Sequence, residues 1–197
     1  MSKAIDRQQD IIFHVARLFR EKGYPATSIR DIGEALGFSS SALYYHFESK
    51  DALLLEVMLQ GVRAVHHAVV QAMRDEPSLY YRIRAGLRTH LLTSLEHQDF
   101  AAVLLQEMRY LSPDDRRKVV DERDAYESLW TRTLTEGVEA GLFRPEVDLH
   151  LLRLLGFGAM NWVVIWYTSD GKNTPQEIAD AFLEQIGKGV FRPELEL

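Results

Sequence analysis

The chain has 197 residues, 46% of them hydrophobic and 26% charged, with a net charge of −6 and no cysteine. That length allows one mid-sized domain, or a small one plus a larger one, with a core of useful size. The missing cysteines exclude disulfides and thiolate zinc sites. The acidic total conceals an uneven distribution. Residues 1–50 hold seven Lys or Arg against six acids, and the remainder holds 16 against 23. The local field, not the sum, governs attraction to phosphates.

In chain order, a first helix is expected over residues 6–22, with Ile11, Ile12, Val15, Ala16, Leu18 and Phe19 as its buried stripe. Gly23 ends it and Tyr24-Pro25 turns the chain. Ser28 is a candidate N-cap with Asp31 three residues on, and Ile29, Ile32 and Leu36 then recur at helical spacing. Gly37 suits a turn that needs positive φ. Ser39 or Ser40 starts a short third helix with Leu43 and Phe47 inward and Ser40, Ser41, Tyr44, Tyr45 and His46 outward. That outward set is polar and aromatic and almost uncharged, which suits hydrogen bonds to phosphates and base edges, with Lys50 as a nearby cation.

A long helix is expected over 51–74, with Leu53, Leu54, Val57, Met58, Val62 and Val65 on its apolar side. Glu76-Pro77-Ser78 breaks the chain before a helix over 79–97 and a shorter one over 101–110. Ser112-Pro113-Asp114 starts the next, which runs through Tyr126, Leu129, Trp130 and Leu134 to Gly141. Residues 149–167 are apolar on nearly every face, and residues 174–190 carry Ile178, Phe182, Ile186 and Val190 every fourth position. A helix apolar all round must be covered all round, and a second copy of the chain is the economical cover for these two helices. Asn161, alone within the apolar run 154–167, requires a hydrogen-bond partner. That run has 14 residues, short for a bilayer span, and residues 1–20 lack the apolar core of a signal segment. The expected location is cytoplasmic, away from membranes.

The residues from Gly37 to Leu53, GFSSSALYYHFESKDAL, resemble the helix-turn-helix of the TetR family of transcriptional regulators: Gly-hydrophobe-Ser, then Leu-Tyr-x-His-Phe, then Lys-x-x-Leu. Gly33 departs where the family carries Ala, at a helix cost of about 1 kcal/mol, and Ser41 departs where it often has Gly. The resemblance implies an all-α fold, with an N-terminal three-helix head over 1–50 and a larger helical domain for ligand binding and dimerisation over 51–197. It implies a homodimer on a palindromic double-stranded DNA operator, with Thr27, Arg30, Ser39, Ser40, Ser41, Tyr44, Tyr45, His46 and Lys50 as candidate DNA contacts. Thr27, Arg30 and Lys22 are equally compatible with plain solvation.

Aromatic and sulfur-bearing side chains gather in the larger part. Phe100, Met108, Tyr110, Tyr126, Trp130, Trp162 and Trp166, with Arg109, form a candidate wall for a small hydrophobic effector, although ordinary core would use the same residue types. Glu107-Met108-Arg109-Tyr110-Leu111-Ser112-Pro113, Arg123-Asp124-x-Tyr126-Glu127, Glu136-Gly137 through Phe143, and Gly158-x-Met160-Asn161-Trp162 through Gly171 resemble the TetR regulators of fatty-acid and steroid breakdown. This narrower resemblance implies an acyl-CoA effector, with Arg109, Arg116, Arg117 or Arg123 near its phosphates. Val163-Val164-Ile165 departs from the more polar residues expected there. The seven histidines form no HExxH or other metal-ligand set, and adjacent His66 and His67 diverge by about 100° on a helix. No catalytic signature, metal site or cofactor is expected. The alternatives are a drug- or aromatic-responsive TetR-type regulator, and a helical acyl-thioester carrier or enzyme with a vestigial head.

Overall fold

The computed structural model describes residues 2–192, with side chains from Gln8 onward. Every regular element among them is helical: α1 (Ser2–Lys22), α2 (Ile29–Leu36), α3 (Ser40–His46), α4 (Lys50–Arg74), α5 (Leu79–Glu96), α6 (Gln98–Glu107), a 3-10 turn (Met108–Tyr110), α7 (Pro113–Glu139), α8 (Leu149–Trp166) and α9 (Pro175–Val190). The chain packs as two compact units.

The first unit comprises residues 1–63 and 97–122. Its core holds the predicted α1 stripe (Ile11, Ile12, Val15, Ala16 and Phe19), joined by Ile32, Leu43, Phe47, Leu53, Leu54, Val57 and Met58. Each short helix has its own start and stop. Ser28 and Asp31 form a capping box, in which Ser28 Oγ accepts from the Asp31 amide at 3.1 Å and the Asp31 carboxylate accepts from the Ser28 amide at 2.7 Å. Gly37 ends α2 at φ 69°, and the Phe38 amide closes the turn on Gly33 O at 2.8 Å. Ser39 rather than Ser40 caps α3, accepting from the Ala42 amide at 3.2 Å. Gly33 has a packing reason: a Cβ there would stand 2.6 Å from the Phe38 carbonyl oxygen. The weaker helix former permits the close turn between α2 and α3.

The first unit also takes in α6, which the sequence reading placed with the larger domain. Phe13 packs edge-on against Phe100 at 5.2 Å between centroids. A Cβ on Gly61 of α4 would stand 3.1 Å from Phe100 Cβ, so the missing side chain leaves room for α6.

The second unit comprises residues 64–96 and 123–197. Val65, Val69 and Met73 of α4 meet Tyr80 and Ile83 of α5, Tyr126, Trp130 and Leu134 of α7, and Phe143 and Phe191. Asp148 caps α8 through the Leu151 amide at 3.0 Å. Thr174 and Glu177 form a capping box with Pro175 in the first turn of α9. The chain closes on itself where the Arg144 amide donates to Val190 O at 2.9 Å and the Arg192 amide to Leu142 O at 3.0 Å.

Both α4 and α8 are long and apolar enough to cross a membrane by length and composition, which widens the 14-residue estimate from sequence. Some 44% of the apolar window of α4 is buried inside the chain, against 22% for α8. The apolar surface of α8 is therefore the one left needing cover.

Candidate DNA-reading face and effector cavity

The α3 helix turns Leu43 into the first unit's core and leaves Ser40, Ser41, Tyr44 and Tyr45 exposed, with Ser39 exposed at its cap. Tyr45 is 86% exposed and Tyr44 54%. His46 is half-buried, its ring edge-on to Tyr45 at 5.2 Å. Arg30 is exposed on α2 and pairs with Glu34 at 2.9 Å. These side chains form one polar, aromatic surface carrying hydroxyls and an imidazole.

Two expected DNA contacts are placed differently. Thr27 is buried, and its hydroxyl donates to Gly23 O at 2.9 Å. The Lys50 ammonium donates to Tyr24 O at 3.0 Å and Thr27 O at 2.9 Å, and sits 4.1 Å from the centre of the Tyr24 ring. Both side chains brace the turn between α1 and α2. The Tyr24 hydroxyl donates to Asp51, and burial, then the Asp51 carboxylate, raises its pKa well above the usual phenol value. Glu107, buried at the end of α6, accepts from the Tyr24 amide at 3.4 Å. The turn that presents α2 is thus held from α4 and α6.

The second unit contains an apolar cavity between α5, α7, α8 and α9, walled by Leu87, Leu91, Trp130, Phe157, Met160 and Phe182 among others. Its volume is about 60 Å³. It is narrow. Two cations reach its wall, Arg84 and Arg153. Arg153 pairs with Glu127, and Arg84 donates to the Tyr80 hydroxyl at 3.2 Å. A shallower cleft in the same unit is lined by Arg74, Arg82, Arg132 and Glu136, with Glu136 accepting from Arg82 at 3.3 Å.

Behind Phe157 lies a buried polar cluster. His90 Nδ1 is 2.7 Å from the Tyr126 hydroxyl. Phe157 packs on His90, Tyr126 and Trp130, with centroids 5.5, 5.8 and 6.1 Å away. Asn161 lies beside His90 and favours its protonated form, so the lone polar residue of the apolar run 154–167 finds its neighbour within the same unit.

The outer face of α8 carries Leu151, Leu154, Leu155, Trp162, Ile165 and Trp166, all exposed. They recur at three- and four-residue steps around Gly158, whose Cβ position meets open space. This is a continuous apolar seam.

Residues 14–57 match the family model described as "Bacterial regulatory proteins, tetR family", and residues 76–190 match "Tetracyclin repressor-like, C-terminal domain". The chain belongs to the TetR family. It is a TetR-type transcriptional repressor, with a DNA-binding helix-turn-helix and a larger helical ligand-binding domain. The HTH-type transcriptional repressor KstR2 of Rhodococcus jostii RHA1 is 30% identical, covering 95% of this chain and 92% of its own. The crystal structure of PfmR, a TetR family transcriptional regulator from Thermus thermophilus, is 35% identical with a TM-score of 0.85 over 92% of this chain and 99% of that one. AibR, solved in complex with isovaleryl coenzyme A and operator DNA, is 26% identical with a TM-score of 0.83 over 91% and 97%.

The cavity of this TetR-family protein is walled by other residues than most of the ligand set expected from sequence. Of the eight residues named, Trp130 alone is in its wall. Tyr126 stands one layer behind, against Phe157. Phe100 is buried in the first unit's core, and Met108, Arg109 and Tyr110 form that unit's 3-10 turn. Trp162 and Trp166 point outward on α8. Three of the four arginines expected near phosphates also have local partners: Arg116 donates to Arg109 O at 3.2 Å, Arg123 lies 3.7 Å from Glu127, and Arg109 stacks on Tyr110 at 4.9 Å. The arginine-lined cleft and the His90 cluster escaped the sequence reading, because each gathers its members from three different helices and carries no shared motif.

Burial pushes the His90 imidazole down from 6.5 to about 4, with Asn161 opposing. The unfolded chain takes up a proton below about 6.5 while the folded chain stays neutral to about 4, so stability is expected to fall as pH drops through that window. Between pH 7 and 5 the loss from this group is about 2 kcal/mol. Urea unfolding of the wild type and His90→Gln at both pH values checks it, the variant losing less.

Proposed function

We propose that this repressor binds a palindromic operator as a homodimer and is released by an apolar effector, an acyl-CoA. Functionally, residues 1–50 act as the reading head and residues 51–197 as the effector and dimer domain, in the cytoplasm. Ser39, Ser40, Ser41, Tyr44, Tyr45 and His46 meet DNA, with Arg30 near the backbone. The observation that carries the reading is the exposed α3 surface, whose hydroxyls and imidazole face away from the core although Leu43 and Phe47 on the same segment are buried. A helix presented in this way is suited to a major groove.

The apolar α8 seam supports a paired molecule, since a second copy laid against it covers the same residues in reverse order. Two heads on one dimer call for two half-sites about one helical turn apart. The effector half rests on the apolar cavity around Trp130 and on the likeness to AibR, whose structure holds isovaleryl coenzyme A. The cavity is too narrow for an acyl chain as it stands, so binding requires α8 or α9 to move outward. Helices α4 and α7 each contribute residues to both compact units, and displacement of either carries the change to the head. A coupling of about 1–3 kcal/mol, roughly 5- to 150-fold in operator affinity, is enough for release.

The test is fluorescence anisotropy on DNA from upstream of the protein's own gene, with a panel of acyl-CoAs of graded length and ring content. At least one acyl-CoA is expected to weaken operator binding tenfold or more, with free CoA inert. Silence across the panel rejects the acyl-CoA effector. Release by an uncharged aromatic compound instead marks a drug-responsive regulator.

A further inference from the structure

One polar atom in the cavity wall has no partner. The Trp130 indole lines the cavity and is 2% exposed, and its Nε1 is buried without a hydrogen bond. Its N–H leans toward the Tyr126 hydroxyl, which feels it, yet completes no bond. The Tyr126 hydroxyl is already engaged with His90 Nδ1. His90 Nε2, beside Asn161, is likewise buried and unpartnered. Two nitrogens of one cluster are therefore unpaired where burial makes that costly.

An indole nitrogen only donates, so its missing partner is an acceptor. The acceptor must also be uncharged. The nearby imidazole is held neutral at physiological pH, Arg153 is tied to Glu127, and Arg84 is engaged with the Tyr80 hydroxyl. At the indole itself a carboxylate would lose its hydration against the neutral His90, Tyr126 and Asn161. Gly86 shows how closely the indole is seated: a Cβ there would stand 2.8 Å from Trp130 Cη2. With the ring confined, its N–H has a defined direction.

We propose that the effector is an apolar molecule bearing an uncharged carbonyl (a ketone, ester or thioester), and that the Trp130 indole N–H donates to that oxygen. This rests on the reading of the cavity as the effector site. It selects against free acids with the same carbon skeleton. Phe157, packed on the whole cluster, is the side chain whose displacement admits the carbonyl.

Three near-isosteric probes test it on the full-length protein: benzylacetone, n-butylbenzene and hydrocinnamate, which differ only in carrying a ketone, a methylene or a carboxylate. Calorimetric titration is expected to rank benzylacetone about tenfold above butylbenzene and more than tenfold above hydrocinnamate. In nitrogen-15 spectra the Trp130 indole resonance is the one that remains in the Trp162→Phe, Trp166→Phe protein, whose substitutions lie on the outer face of α8. It is expected to shift with benzylacetone and not with butylbenzene. Trp130→Phe should abolish the ketone preference, read as the ratio of the benzylacetone and butylbenzene affinities. If that variant does not fold, the wild-type resonance decides. Equal affinity for ketone and hydrocarbon with an unmoved resonance overturns the anchor, a water meeting Trp130 instead, and leaves the apolar-effector reading standing. Preference for hydrocinnamate overturns it in favour of a charged anchor. Failure of all three probes to bind overturns both readings. A ketone preference without loss of operator affinity keeps the anchor and overturns the effector reading.

Discussion

Leu155→Glu together with Trp162→Glu is expected to make the protein monomeric and to lower operator affinity more than a hundredfold. Both side chains are 63% exposed on the α8 seam, so the chain's own fold does not depend on them, and surface changes of this kind seldom cost much stability. In a dimer the same positions lie at a buried interface, where two carboxylates per chain, four in all, would be desolvated against apolar neighbours without partners. Loss of the pair separates the heads. A second head tethered to the first binds at an effective concentration in the millimolar range, and losing that tether removes about 10²–10⁴ in avidity. Light scattering after size exclusion and anisotropy on the operator read the two effects. A variant that stays dimeric places the interface on another surface. A monomer that keeps full affinity contradicts the two-headed reading.

Tyr44→Ala with Tyr45→Ala is expected to lower operator affinity about a hundredfold with an unchanged melting temperature. Tyr44 and Tyr45 are exposed, and Tyr45 touches the ring of His46 on the same helix. Each contact to a base edge or phosphate contributes about 1–3 kcal/mol, so losing two is a large effect on binding and a small one on folding. Lys50→Ala provides the contrast. Its ammonium holds two backbone carbonyls and the Tyr24 ring, so this variant is expected to lower stability. An affinity loss in Lys50→Ala that tracks its stability loss would agree with a bracing role.

The helix-turn-helix was legible because its signals are local. Ser28, Asp31, Gly37 and Ser39 each act within four residues, and capping and turn chemistry at that range is written directly in the chain. The alternation of Leu43 and Phe47 with Tyr44 and Tyr45 likewise fixed the outward face. The cavity was less legible for a physical reason. The α8 helix is apolar on nearly every side, so its period could not say that Met160, Val163 and Val164 face inward while Leu155 and Trp162 face outward. Tryptophan content suggested a ligand wall, and two of the three tryptophans belong to the outer seam. Phe100 and Glu107 lie within the larger domain expected from sequence, yet they pack on the first unit, filling space beside Gly61 and holding the Tyr24 turn. Lys50 looked like a free cation because its carbonyl partners, Tyr24 and Thr27, lie more than twenty residues earlier.

Footprinting of the wild-type protein on DNA upstream of its own gene tests the central claim most directly. Two symmetric protected half-sites about one helical turn apart are expected, both disappearing with the Leu155→Glu, Trp162→Glu protein. No protection at any site, or a single unsymmetric patch that survives in that variant, would contradict a paired reader of DNA.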